Sequence, residues 1–221
     1  METQASQPLN PWLSIWFRPR ATIRYIISTD PTYRVYSLAA LGGISKVLDR
    51  AMSRAWGDSM AWYWIVLLVL VGGPVAGVFG LYIGGAIFRW VGSKLGGAAT
   101  SEEVRAAIAW ASLPGIAGLV FIIPYLIFLR SEAFTSETPR LDAIVAQSPA
   151  WAILVSLLGI YLIVIGVVLS LWQLVLLSKT LGEVHGFSAW RGFLTYFIPS
   201  FVFFILLFVI FVLPRAIYIG P

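Results

Sequence analysis

No cysteine occurs among the 221 residues, which removes disulfides, thiol chemistry and thiolate metal sites together. Charge is scarce as well. Asp, Glu, Lys and Arg make up 11% of the chain against 59% hydrophobic residues, whereas soluble domains carry about 25% charged residues. With a mean hydropathy of +0.88, the chain reads as an integral membrane protein, and its length as one helical bundle without a sizeable soluble domain. The only histidine is His185, too few ligands for a zinc hydrolase; its place in the turn LGEVHGF predicts a solvated loop or capping histidine. Ser112 and Ser200 flank prolines with no base beside them, so neither is an activated nucleophile. No glycine-rich phosphate loop follows a strand. The chain therefore reads as non-enzymatic, with no catalytic residue, cofactor or metal. A continuous basic face is missing too. The net charge of +5 comes from basic residues flanking apolar runs, a pattern of membrane topology and not of nucleic-acid binding. Nor is a cleavable signal expected, because Arg18, Arg20 and Arg24 interrupt the first apolar stretch before an h-region can form.

What is present is four charge-free runs: Trp62–Phe88, Ala106–Leu129, Trp151–Ser178 and Gly192–Pro214. Each meets the requirement of about 20 residues for a spanning helix. A fifth span is expected at Pro31–Arg50. Its uncharged core, Val35–Ser45, is short, but Asp30-Pro31 provides a helix start and the charged far end can snorkel. The alternative is four spans and a surface helix. Lys46 and Asp49 fall at i and i+3, placed to pair on one helix face. The expected fold is an all-α, five-span transmembrane bundle over residues 31–221 (spans about 31–50, 62–88, 106–129, 151–178 and 192–214), preceded by a cytoplasmic amphipathic segment at residues 1–30. An N-in, C-out orientation puts Arg18, Arg20, Arg24, Arg34, Arg89, Lys94, Arg105, Lys179 and Arg191 inside. Lys46, Arg50, Arg54, Arg130, Arg140 and Arg215 then lie outside, with the loop Arg130–Ser148, so the basic bias favours this orientation.

Local signals mark the helix ends. Asn10-Pro11, Asp30-Pro31 and Ser148-Pro149 each place an N-cap oxygen before an N1 proline. Thr100 and Glu103 form a capping box, and Ser188 is the expected cap of the last span. Asn10–Ser28 reads as two short helices divided at Pro19. Trp12, Ile15 and Trp16 share a face of the first; Ile23, Ile26 and Ile27 share a face of the second, with Arg20 and Arg24 opposite. The aromatic residues, with Arg18, Arg20 and Arg24, suit the headgroup layer. Docking of the same apolar stripe on the bundle's own cytoplasmic end is the other reading.

Two stretches echo each other: SKLGGAATSEEVRAAIAWASLP from Ser93 and SKTLGEVHGFSAWRGFLTYFIP from Ser178. Both carry Ser-Lys, Leu-Gly, a helix-opening arginine and a later proline. They suggest two similar hairpins, spans two–three and four–five, a parallel arrangement found in some transporters; the alternative is that any membrane hairpin turn needs a glycine, a cap and a basic anchor. In the second span Gly73, Gly77, Gly80 and Gly84 fall on one helix face, where small residues let another backbone approach. That approach is expected within the chain, a second copy being the alternative. Pro74, Pro114 and Pro199 are expected to bend their spans. The strong spans hold no ionisable group, which argues against a proton relay or ion-coupled transport. Ser112, Gln173 and Thr195 are the candidate polar lining of a conduit, with Gln173 otherwise a packing amide between helices.

The segments NPWLSIWFRPRATIRYIISTDP, GGISKVLDRA, GSKLGGAATSEEVRAAIAWASLPGI and LGEVHGFSAWRGFL resemble the bacterial branch of the Yip family, the Ypt/Rab-interacting membrane proteins. The resemblance implies a small polytopic helical protein that acts by interaction, and it supplies no catalytic residues. Eukaryotic members are associated with vesicle traffic and prenylated GTPases, but their Asp-Leu-Tyr-Gly-Pro segment is absent here. For bacterial relatives it implies an accessory role beside membrane transport. The expected setting is the bacterial inner membrane. The expected partners are the lipid bilayer, a membrane protein such as a transport system, or a second copy of the chain. The alternative function is a conduit for a lipid or small apolar solute between two kinked hairpins.

Overall fold

A computed structural model describes residues 9–211, all helix, turn and loop, with no strand among them. The helices are α1 (Pro11–Phe17), α2 (Pro19–Thr29), α3 (Val35–Ser53), α4 (Trp62–Leu67), α5 (Gly73–Lys94), α6 (Ser101–Ala111), α7 (Leu113–Leu129), α8 (Pro139–Gln147), α9 (Pro149–Val184) and α10 (Ala189–Phe211). A π-helical turn, Leu68–Gly72, joins α4 to α5, and 3-10 turns lie at Trp56–Asp58 and Arg130–Phe134. Four segments are long and apolar enough to cross a membrane: Trp62–Lys94, Ser101–Phe134, Pro149–Val184 and Ala189–Phe211. They contain the four charge-free runs as far as Phe211, extended by residues that carry charge, such as Arg89, Lys94, Arg105 and Lys179. The last residues of the expected fifth run, to Pro214, and Arg215 lie outside the described residues.

The chain forms two compact units. Among the described residues, one takes in 9–31, Ile83–Ile108 and 175–211; the other takes in Thr32–Tyr82 and Ala109–Leu174.

In the first unit, the Asn10 side chain accepts from the Trp12 N–H at 3.1 Å and Pro11 opens α1. Thr100 and Glu103 close their capping box reciprocally, the Thr100 N–H donating to Glu103 Oε2 (2.7 Å) and the Glu103 N–H to Thr100 Oγ1 (3.3 Å). Ser188 Oγ accepts the Arg191 N–H at the start of α10. Pro199 lies inside α10, where its ring removes one helix bond. Nearby, Thr195 Oγ1 donates to the Arg191 carbonyl and Ser200 Oγ to the Tyr196 carbonyl, both at 2.9 Å.

In the second unit, α3 packs on α7 and on the π-helical turn. Leu48, Ala51, Ile65 and Val69 form a buried cluster flanked by Leu119, Ile122 and Leu126. The expected start of α3 at Asp30-Pro31 is corrected. Asp30 terminates α2, donating its N–H to the Ile26 carbonyl, and α3 begins at Val35 after Arg34 in a left-handed conformation (φ 57°). The cause is tertiary: the fully buried Trp110 donates its indole N–H to the Tyr33 carbonyl (3.2 Å) and stacks on the Tyr33 ring. Pro114 also differs from a mid-helix proline. The third span breaks at Ser112, and Pro114 sits in the first turn of α7, where its missing N–H costs nothing. Pro74 follows the π-helical turn, whose widened spacing receives a ring that would otherwise meet the carbonyl four residues back. Pro124, inside α7, is a further intrahelical proline that the hydropathy of its run concealed.

Candidate functional site

The first unit is organised by two glycine-closed turns. After α5, Gly96 adopts φ 90° and the Gly97 N–H reaches the Gly92 carbonyl at 2.9 Å; after α9, Gly186 adopts φ 75° and the Phe187 N–H reaches the Gly182 carbonyl at 2.9 Å. Both are six-to-one closures of a helix C-terminus, which require a left-handed residue and so favour glycine. The equivalent residues are Gly92 and Gly96 against Gly182 and Gly186, five residues away from the register in which the two Ser-Lys pairs coincide. Lys94 ends its helix, whereas Ser178-Lys179 lies inside α9.

His185 leaves the second turn and fills the first. It is 4% exposed, which corrects the expectation of a solvated loop histidine. Its ring lies where a Cβ at Gly92 or Gly97 would stand and stacks on Phe187 (5.1 Å between centroids, 2° between planes). Only glycines at both positions leave room for an imidazole, a long-range fact that no local pattern announces. Its Nδ1 and Nε2 are, among the described residues, the buried side-chain polar atoms without a hydrogen-bond partner. Burial lowers the imidazole pKa below its ordinary 6.5, opposed by the nearby Phe88 carbonyl and the Glu103 carboxylate.

The N-terminal helices dock in this unit. Ile15, Ile23 and Ile26 are buried while Ile27 and Trp16 are partly covered. The Glu183 side chain, 11% exposed, receives Arg24 (2.5 Å) and lies 3.9 Å from Arg20. Arg20 also donates to the Phe187 carbonyl at 2.8 Å. Two of the arginines placed at the membrane surface thus hold the segment to the second turn. The opposite face of α1 remains outward, with Leu13 69% and Phe17 86% exposed beside Trp12 and Arg18.

In the second unit the glycine face of α5 divides. A Cβ at Gly77 would collide with the Ala39 carbonyl and one at Gly73 would stand 2.8 Å from the Ile44 Cα, while Gly43 on α3 faces both. Among the described residues, a Cβ at Gly80 would meet nothing within 4 Å, nor would one at Gly84, which belongs to the first unit. Backbone contact along this stripe is therefore confined to its first two glycines.

A cavity of about 300 Å³ lies between α3, α7 and α9, lined among others by Ser45, Lys46, Asp49, Gly118, Gly166 and Ser170. Ser45 Oγ is committed to the Gly115 carbonyl at 2.8 Å. The expected Lys46–Asp49 pair does not form: both side chains are exposed, and neither has an ion-pair partner among the described residues. Both residues line the cavity instead. The candidate conduit residues lie elsewhere. Ser112 Oγ donates to the Ala109 carbonyl at 2.6 Å, and Gln173 lies against Gly115 with its Oε1 2.7 Å from where a Cβ would be. Thr195, in the other unit, is fully buried and bonded to its own helix.

Four long apolar segments, with large side chains such as Phe203 and Phe204 turned outward, define a multi-pass α-helical membrane protein, because only a lipid environment accommodates such surfaces in quantity. The Yip1 domain matches residues 13–211, and the chain belongs to the Yip family. No curated protein sequence and no solved structure matches it.

Proposed function

We propose that the protein is a non-enzymatic accessory or scaffold component of the bacterial inner membrane, in the bacterial branch of its family, working beside a membrane transport system. The observation that carries this reading is the N-terminal collar. Arg20 and Arg24 fasten α2 to Glu183 and the Phe187 carbonyl, while Leu13 and Phe17 stand outward next to Trp12 and Arg18. A docked helix that keeps an aromatic and basic outer face suits the headgroup layer or a partner helix lying there. Five spans fit this arrangement. Helix α3 has 19 residues, about 28 Å at 1.5 Å per residue, and buries Leu38, Ala39, Gly42 and Gly43 within its unit. The basic bias then favours N-in, C-out, with the collar cytoplasmic. Cross-linking in native membranes tests the role: a recurrent membrane-protein partner supports it, and recovery of the chain free of any partner contradicts it.

A second reading, a conduit for a lipid or small apolar solute, is favoured by the cavity beside α3, α7 and α9. Movement of labelled lipid by the purified protein in vesicles separates it from scaffolding.

A further inference from the structure

The cavity in the second unit has a composition that its packing role does not explain. Two of its walls, α7 and α9, belong to segments apolar enough to span a membrane. The space exists because glycines stand where side chains would fill it. A Cβ at Gly166 would meet nothing within 4 Å, and one at Gly118 would make only an ordinary contact with Leu169 at 3.7 Å. Leu119, Phe121, Ile122, Leu162 and Ile165 supply an apolar lining. Lys46 and Asp49 contribute one charge of each sign from adjacent turns of α3.

An ionisable side chain next to a membrane-spanning core ordinarily has a partner, because lipid tails offer none. Lys46 and Asp49 are spaced to satisfy each other but do not. Each therefore keeps its charge available to a ligand with a complementary anion and cation. A void lined by methyl and methylene groups accepts an acyl chain, and a lysine donates three N–H groups to a phosphate. The carboxylate beside it accepts only, which matches an ammonium.

We propose that this cavity is a binding site for a zwitterionic phospholipid bearing a primary amine. One acyl chain enters the glycine-made space between α7 and α9, Lys46 holds the phosphate and Asp49 the ammonium. An anionic phospholipid satisfies Lys46 but brings a second negative group or a neutral hydroxyl to Asp49, and it binds less well. The site is independent of the scaffold role: a bound lipid that stays in place serves neither as cargo nor as a protein partner.

Native mass spectrometry of the full-length protein tests this, after equilibration with equimolar phosphatidylethanolamine and phosphatidylglycerol of identical acyl chains. Retention of phosphatidylethanolamine over phosphatidylglycerol by roughly tenfold is expected, since one charge-assisted contact is worth about that factor. Lys46→Gln lowers retention of both lipids, and Asp49→Asn removes the preference between them. Gly166→Leu fills the space and abolishes retention, whereas Gly159→Leu, on the same helix with open space around it, leaves retention intact. Should Gly166→Leu lose its helical circular dichroism, Gly166→Ala replaces it, with reduced retention expected. Absence of a retained lipid in the wild type, equal retention of the two lipids, or retention unaffected by the Gly166 substitutions would each overturn the proposal.

Discussion

His185 shows how a single side chain can depend on residues far along the chain. Its burial rests on Gly92 and Gly97, and its lowered pKa follows from desolvation. The unfolded chain takes up a proton near the ordinary value of 6.5, while the folded chain resists it to lower pH. Stability is thus fully present above about pH 6.5 and declines as the pH falls below it. Thermal unfolding in detergent should show a Tm lower at pH 5 than at pH 7.5, and His185→Leu should flatten that difference. The glycines of α5 give a second residue-scale prediction. Gly77→Ala should lower the Tm, since its Cβ collides with the Ala39 carbonyl, with an overpacking cost of about 1–3 kcal/mol. Gly80→Ala should be neutral or stabilising by up to about 1 kcal/mol through helix propensity. Equal effects at the two positions would contradict the division of the stripe. Periodicity placed all four glycines on one face, but it could not say how far along that face a partner backbone runs.

At the scale of elements, what the chain states locally is what the structure contains. The charge-free runs are helices, the division at Pro19 separates α1 from α2, and the caps at Asn10, Thr100 and Ser188 hold their hydrogen bonds. These depend on residues within a few positions of each other. The departures arise where a distant residue intervenes. Trp110 holds Tyr33 and so moves the start of α3 from Pro31 to Val35. The break at Ser112 turns Pro114 into a first-turn proline. The two hairpin turns are shifted by five residues from the register of their Ser-Lys pairs, because it is the paired glycines closing the helices, and not the Ser-Lys pairs, that set the turns. The collar is an element-scale device as well. Glu183→Gln should loosen α2, raising the initial rate of tryptic cleavage after Arg20 and Arg24 several-fold, in keeping with a contact of about 1 kcal/mol that is partly solvent-screened. An unchanged cleavage rate would mean that the buried isoleucines alone hold the segment.

For the whole molecule, composition pointed to a membrane protein and the four charge-free runs to a multi-pass helical one, and the Yip1 domain match over residues 13–211 gives it a family. Lys46 and Asp49 were visible in the sequence as a charged pair but not as one wall of a cavity, because the other walls, α7 and α9, are remote in the chain. The proposed five-span, N-in arrangement predicts which loops face which compartment. The chain has no cysteine, so single-cysteine variants report position without background. Ser136→Cys should react with an impermeant maleimide from outside intact cells, and Ala98→Cys only after permeabilisation. Labelling of both from one side would contradict five spans in this order. The central claim, that the protein works by interaction through its docked N-terminal collar, is tested most directly by a photo-cross-linker replacing Phe17 in native membranes. The account predicts a discrete membrane-protein adduct that weakens when Arg20 and Arg24 are both replaced by alanine. Adducts to lipid alone, or a protein adduct indifferent to those arginines, would contradict it.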